Sequence, residues 1–141
     1  MIYVSVIVMK SHYHCVYDLK YHLVLVTKYR RKCFSAVMLT RLEEICREQC
    51  AKWEIELLEF GAEADHCHLL LALHPNAMPS KFINSLKTVT SRLLAKEFAS
   101  EIKKYYRKPG IWTRAYCLLT TGGAPLDIIK EYIQKQERPE T

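Results

Sequence analysis

The chain has 141 residues, half of them apolar, enough for one buried core and too few for a multidomain enzyme. Charged residues make up 26% of it, and no apolar run approaches the ~18 residues of a membrane span, so the composition is that of a soluble globular protein. The 21 Lys and Arg against 15 Asp and Glu leave a net charge of +6, which favours an anionic partner such as nucleic acid, although a basic face also serves solubility alone. The cysteines (Cys15, Cys33, Cys46, Cys50, Cys67, Cys117) form no CxxC pair. With no secretory leader in view they read as free thiols of a reducing cytoplasm.

The start alternates, with Ile2, Val4, Val6 and Val8 on one side, as a short strand does. Met1 and Met9 are both candidate initiators. Residues 16 to 29 are β-branched and aromatic, which predicts a long strand ending in the basic cluster Lys28 to Lys32. Val37, Met38, Leu42, Ile45 and Cys46 recur at helical spacing between about 36 and 52. Residues 53 to 61 and 65 to 74 read as two strands around a connection containing Gly61, the second apolar enough to lie within the sheet.

Pro75 and Pro79 bracket a loop, and Phe82, Ile83, Leu86, Val89, Leu93 and Leu94 then mark a helix from about 79 to 99. KKYYRKPG at 103 to 110 is a basic, aromatic loop. A strand follows over 113 to 121, Gly122 and Gly123 break it, and Pro125 opens a last helix to about Arg138. This order predicts a ferredoxin-like antiparallel sheet with helices packed on one face, an open sheet face, an appended C-terminal helix, and a single domain over 1–141.

His66 and His68 lie two apart in the apolar strand, so both imidazoles leave one face, ~7 Å apart at the backbone, and can converge on a metal ion. The spacing suits two partly buried strand histidines equally well. His12 and His14 repeat the pattern without an apolar strand to hold them. Two neutral imidazoles leave an ion under-coordinated. On the last helix Tyr132 and Gln136 are one turn apart on one face. Cys46 and Cys50, also one turn apart but without a matching pair, read as core. Lys28, Arg30 and Arg31, Lys87 and Arg92, and Lys103, Lys104, Arg107 and Lys108 beside Tyr105 and Tyr106 are the cationic and aromatic candidates for phosphates and unpaired bases.

HLVLVTKYRR, ADHCHLLLAL, SKFINSLKTVTSRLLAKEF, YCLLTTGGAP and KEYIQKQ occur in that order over about residues 13 to 138. In this the chain resembles the small single-tyrosine HUH transposases, the TnpA type that moves insertion sequences as single-stranded DNA. That resemblance implies His66, His68 and Gln136 as metal ligands, Tyr132 as nucleophile, and Gly122 and Gly123 as the joint before its helix. It further implies Mg²⁺ or Mn²⁺, no nucleotide cofactor, a homodimer, DNA hairpins at element ends as substrate, a 5′-phosphotyrosine intermediate, and a prokaryotic cytoplasm, on the nucleoid. Cys67 stands where such proteins usually carry a bulky aliphatic. A domesticated relative acting on chromosomal palindromes would share these residues. A non-catalytic nucleic-acid-binding module on the same sheet is the alternative of another class, and the glycine-rich aromatic motifs of RNA-recognition domains are absent.

Overall fold

A computed structural model describes residues 10–12, 15–121 and 126–136. The elements are β1 (Lys10–His12), β2 (Cys15–Tyr17), β3 (Leu19–Val26), α1 (Ala36–Lys52), β4 (Glu56–Glu63), β5 (His66–Leu73), α2 (Pro79–Glu97), α3 (Ala99–Ile102), β6 (Cys117–Thr120) and α4 (Leu126–Lys135). The strand expected over residues 2–8, the joint Gly122–Gly123 and His14 lie outside the described residues.

β3, β4, β5 and β6 form one sheet in the order β4-β5-β3-β6, with every neighbouring pair antiparallel. Because β5 inserts between β3 and β4, the β3–α1–β4 crossover is a split βαβ unit, and β6 closes the ferredoxin-like order. β5 alternates in burial residue by residue, with Cys67, Leu69, Leu71 and Leu73 buried and His66, His68, Leu70 and Ala72 less so. The buried set packs with Leu23 and Leu25 of β3 under Met38, Leu42 and Ile45 of α1 and Phe82, Ile83, Leu86 and Leu94 of α2. α1 begins where Ser35 accepts a hydrogen bond from the Met38 backbone N–H. α2 begins at Pro79, a residue suited to a first helical turn because its missing N–H is not needed there.

Three expected boundaries move. The long first strand is divided, with β1 and β2 forming a separate hairpin, and Lys28–Arg30 form a 3₁₀ turn instead of a strand end. Gly61 lies inside β4, opposite His68, and the β4–β5 turn falls at Ala64 and Asp65. β6 is confined to Cys117–Thr120, because the preceding segment is held by α2 instead: Trp112 Nε1 donates to Thr90 Oγ1 at 2.9 Å and the Ile111 N–H to Ser91 Oγ at 3.1 Å. Gly110, at φ 96°, makes the turn that brings this segment back, where the Lys28 N–H donates to the Ile111 carbonyl.

The second face of the sheet is less open than expected. Val24 and Val26, in register with His68 and His66, are fully buried. α4 lies against this face: Lys130, Ile133 and Gln134 border the histidine pocket, and Tyr132 lies within electrostatic range of Cys117 of β6.

Candidate functional site

On the face away from α1 and α2, His66 and His68 line a pocket of about 620 Å³ together with His22, Arg30, Glu59, Gly61 and Glu63. Strand pairing puts His68 opposite Val24 and His66 opposite Val26, so His22, two residues before Val24, projects from the same face. Its Nδ1 is 2.7 Å from His68 Nε2, and the two rings stack at 15° with centroids 4.9 Å apart. Burial, followed by the charge of His22, lowers the pKa of His68 and favours the neutral, ligand-competent ring. Gly61 puts no side chain over His68; nothing lies within 4 Å of the space a Cβ would fill.

His66 is held differently. Its Nδ1 lies 2.8 Å from Asp65 Oδ1, and Asp65 Oδ2 accepts from Arg30 Nε at 3.0 Å. Burial by itself would raise the pKa of Asp65, but the hydrogen bonds and charges of His66 and Arg30 outweigh it and keep the carboxyl below its usual range. The Nε2 atom of His66 remains on the pocket side, 3.5 Å from a Glu63 carboxylate oxygen. An imidazole tied by one nitrogen to a carboxylate, with the other toward a cavity, is a common arrangement of metal-binding histidines. The donor set therefore fits a divalent ion, although it is incomplete: among the described residues no group of three His, Cys, Asp or Glu side chains is placed to hold a metal.

The structure brings His66 and His68 together but does not bring Tyr132 or Gln136 to them. The α4 residues bordering the pocket are Lys130, Ile133 and Gln134. Gln136 is half-buried at the end of the helix, its backbone N–H donating to Ile133. The Tyr132 hydroxyl is buried without a hydrogen-bond partner. Burial, then the charge of Cys117, push its pKa up to about 12, against a smaller lowering from the approach of the Thr113 hydroxyl; that approach falls outside hydrogen-bond geometry, and Thr113 donates instead to the Ala115 carbonyl at 3.1 Å. Cys117 pairs with Val24 and Val24 with His68, so two strand spacings, about 10 Å, separate the tyrosine's neighbour from the histidine.

Beside the pocket opens a cleft of about 1190 Å³ lined by Lys28 to Lys32 and Lys103 to Lys108. Two basic segments over 70 residues apart in sequence form its walls, joined where Tyr106 Oη donates to the Lys28 carbonyl at 2.7 Å and Arg31 to the Tyr105 carbonyl. The Arg31 guanidinium lies 4.9 Å from the Tyr29 ring centre and 5.3 Å from that of Tyr106. Burial, then the charges of Lys108 and Arg31, lower the pKa of Lys28.

Several expected nucleic-acid contacts change role. Tyr106, expected as a stacking surface, is 5% exposed and belongs to the core, while Tyr105 is 37% exposed and Tyr29, which sequence reasoning left out, 49%. Lys87 donates to the Thr113 and Arg114 carbonyls at 2.7 and 2.9 Å, closing the chain after α2. It and Arg92 line a separate hollow against Trp112 and Pro109. Lys103, Lys104 and Arg107 stay at the cleft, whereas Arg30 also borders the histidine pocket. His22 and Asp65 were missed. Their available signals were a histidine in phase with Val24 and Val26, and an acid immediately before the histidine pair.

Paired histidines lie on a ferredoxin-like sheet next to a cationic cleft, an arrangement whose charge suits an anionic polymer. The chain belongs to the IS200-like transposase family, which it matches over residues 15–136. It is similar to the transposase of insertion element IS200 from Salmonella typhimurium, with 34% identity over 127 residues covering 90% of this chain and 82% of the relative. The ISDra2 transposase TnpA of Deinococcus radiodurans is 29% identical over 125 residues, 89% of each chain. A crystal structure of a candidate transposase from D. radiodurans R1 superposes with a TM-score of 0.86 at 29% identity, covering 93% of this chain and all of that one. A REP-associated tyrosine transposase solved with a REP hairpin shares the fold, with a TM-score of 0.54 at 12% identity over 88% of this chain and 68% of that chain. This chain is thus a transposase by family, and among the described residues no helix is long and apolar enough to cross a membrane.

Proposed function

We propose that this transposase cleaves and rejoins single-stranded DNA at hairpin-bearing element ends, with Tyr132 as nucleophile and a divalent ion, Mg²⁺ or Mn²⁺, held by His66 and His68. The observation that carries the reading is the juxtaposition of two metal-competent imidazoles with the cationic cleft on one side and the tyrosine-bearing α4 on the other. Gln136, from the family resemblance, and a phosphate oxygen of the substrate are the ligands proposed to complete the set. When bound, the ion draws charge from the scissile phosphate and stabilises in-line displacement. The Tyr132 oxygen forms a bond to phosphorus as the bond to the 3′ oxygen breaks; the phenol gives up its proton and the departing 3′ oxygen gains one. A phosphotyrosine diester replaces a phosphodiester, so a second 3′-OH reverses the step on another strand without nucleotide hydrolysis.

Lys103, Lys104, Arg107 and Arg31 supply the positive charge for the backbone, and Tyr29 and Tyr105 offer exposed rings to unpaired bases. A protein that shares the fold was solved bound to a REP hairpin, the kind of partner proposed here. With Tyr132 beside Cys117, α4 has to reseat before the hydroxyl can reach a phosphate at the histidines. We place that seating on a partner subunit's sheet, in a homodimer working in the prokaryotic cytoplasm. The test is incubation with Mn²⁺ and labelled single-stranded hairpin DNA. A covalent 5′-adduct on a denaturing gel, lost in Tyr132→Phe, is expected; an adduct that persists in that variant, or maps to Tyr105, overturns the assignment.

A further inference from the structure

Arg30 stands where the cleft and the pocket meet, and its side chain is directed into the pocket's support. Arg30 Nε donates to Asp65 Oδ2 at 3.0 Å, and Asp65 Oδ1 lies 2.8 Å from His66 Nδ1. The carboxylate is held by these two side-chain contacts, and its residue is anchored at the backbone, where the Asp65 carbonyl accepts from the N–H of the fully buried Thr27 at 3.0 Å. Arg30 reaches it through two consecutive left-handed residues, Tyr29 at φ 60° and Arg30 at φ 53°. Non-glycine residues adopt that conformation at a cost, which the surrounding contacts must sustain.

An ionised carboxylate only accepts hydrogen bonds. Two carboxylates compete for the proton of a neutral His66, and the buried Asp65 at 2.8 Å from Nδ1 outweighs the exposed Glu63 at 3.5 Å from Nε2, so Nδ1 carries the proton and the lone pair resides on Nε2, on the pocket side. We propose that Asp65 and Arg30 are positioning residues for His66: the carboxylate selects the tautomer that presents Nε2, and Arg30 dictates that an oxygen, and nothing else, occupies the second carboxylate position. This inference rests on the metal-assisted reading above for its purpose, but the tautomer it assigns exists without metal or DNA. The competing role is an ion pair that merely stabilises the β4–β5 turn.

The isosteric change Asp65→Asn separates the two roles. Asparagine has one oxygen, which the Arg30 donor claims, so its amide NH₂ group faces His66 Nδ1 and forces the proton onto Nε2. Nitrogen-15 ring shifts of His66, recorded on the metal-free full chain, are expected to show the Nδ1–H tautomer in the wild type and the inverted one in Asp65→Asn. Mn²⁺ binding followed by electron paramagnetic resonance falls ten- to a hundredfold in that variant, the usual effect of losing such a partner. Adding Arg30→Ala frees the amide to turn its oxygen toward His66, and the double variant recovers the wild-type tautomer and most of the Mn²⁺ affinity. A merely structural ion pair predicts no such rescue, since the double variant removes both of its charges. Retention of the wild-type tautomer in Asp65→Asn, with Mn²⁺ affinity within twofold, overturns the proposal. A wild-type chain that takes up no Mn²⁺ overturns the metal reading instead, and the tautomer spectrum distinguishes that failure from loss of the Asp65 contact.

Discussion

His22 and His68, 46 residues apart in sequence, share a hydrogen bond of 2.7 Å between Nδ1 and Nε2 with their rings stacked. Only one proton occupies that contact when both rings are neutral, so the two imidazoles act as one unit. The stack also limits how the His68 ring can turn. With Nε2 committed to His22, His68 can offer a metal only its other nitrogen, Nδ1, and His22 is then the orienting partner; His22→Ala removes both restraints, and Mn²⁺ affinity is expected to fall by about tenfold. Titration calorimetry with wild-type and His22→Ala protein checks this. Equal affinities would reduce His22 to a packing residue.

Tyr132 combines a buried hydroxyl without a partner and a pKa pushed up to about 12. Tyr132→Phe deletes the orphaned group and keeps the ring, so α4 should dock more firmly on its own sheet, by about 1 kcal/mol. The sign with pH follows from the raised value. Folded protein holds the phenol proton more tightly than an unfolded or undocked chain of pKa ~10, so the docking contribution is complete below pH ~10 and declines as pH rises toward about 12. Protease sensitivity of α4 as a function of pH should show that decline in the wild type and a shallower one in Tyr132→Phe. Identical profiles would mean that the hydroxyl does not govern docking.

Adjacent tyrosines of the basic loop should behave oppositely. Tyr105→Ala is expected to cost about 1–3 kcal/mol of single-strand affinity with little change in thermal stability, because the ring faces solvent and stacking on a base is its available contact. Tyr106→Phe deletes the hydrogen bond to the Lys28 carbonyl that joins the two walls of the cleft, and should cost about 1 kcal/mol of fold stability. Fluorescence anisotropy with a labelled oligonucleotide and thermal melts of both variants make the comparison. A stable Tyr106→Phe protein with intact walls would contradict the structural role.

Lys104→Ala and Arg107→Ala should each lower the slope of log affinity against log salt by about 1 if their charges neutralise one phosphate apiece. Arg92→Ala, on the separate hollow beside Trp112, is the internal comparison. An unchanged slope for both cleft variants would move the nucleic-acid path elsewhere.

Mixing Tyr132→Phe with His66→Ala subunits tests where the reaction is assembled. If α4 of one subunit serves the histidines of its partner, heterodimers regain one working site. Activity recovered on mixing is the expected result. No recovery at any ratio, with exchange confirmed by native mass spectrometry, would place both parts within one chain.

Much of this molecule is written in its periodicities. Alternation along His66–Leu73 dictates that the two histidines share the face opposite Cys67, and the 3.6-residue recurrence of Met38, Leu42 and Ile45 dictates a helix with one apolar side. The fold order and the histidine pair follow from such local rules, and the family follows from the motifs strung along the chain. Tertiary structure alone decided what surrounds them. Strand register brought His22 to His68; a left-handed turn carried Arg30 back to Asp65; a hydrogen bond across 78 residues took Tyr106 into the core; and the seat of α4 turned Tyr132 toward Cys117. The face of His22 and the place of Asp65 beside His66 are visible locally, but none of these pairings is, because a residue's own spacing determines which face it leaves, whereas its partner is set by how distant segments align when the shared core closes.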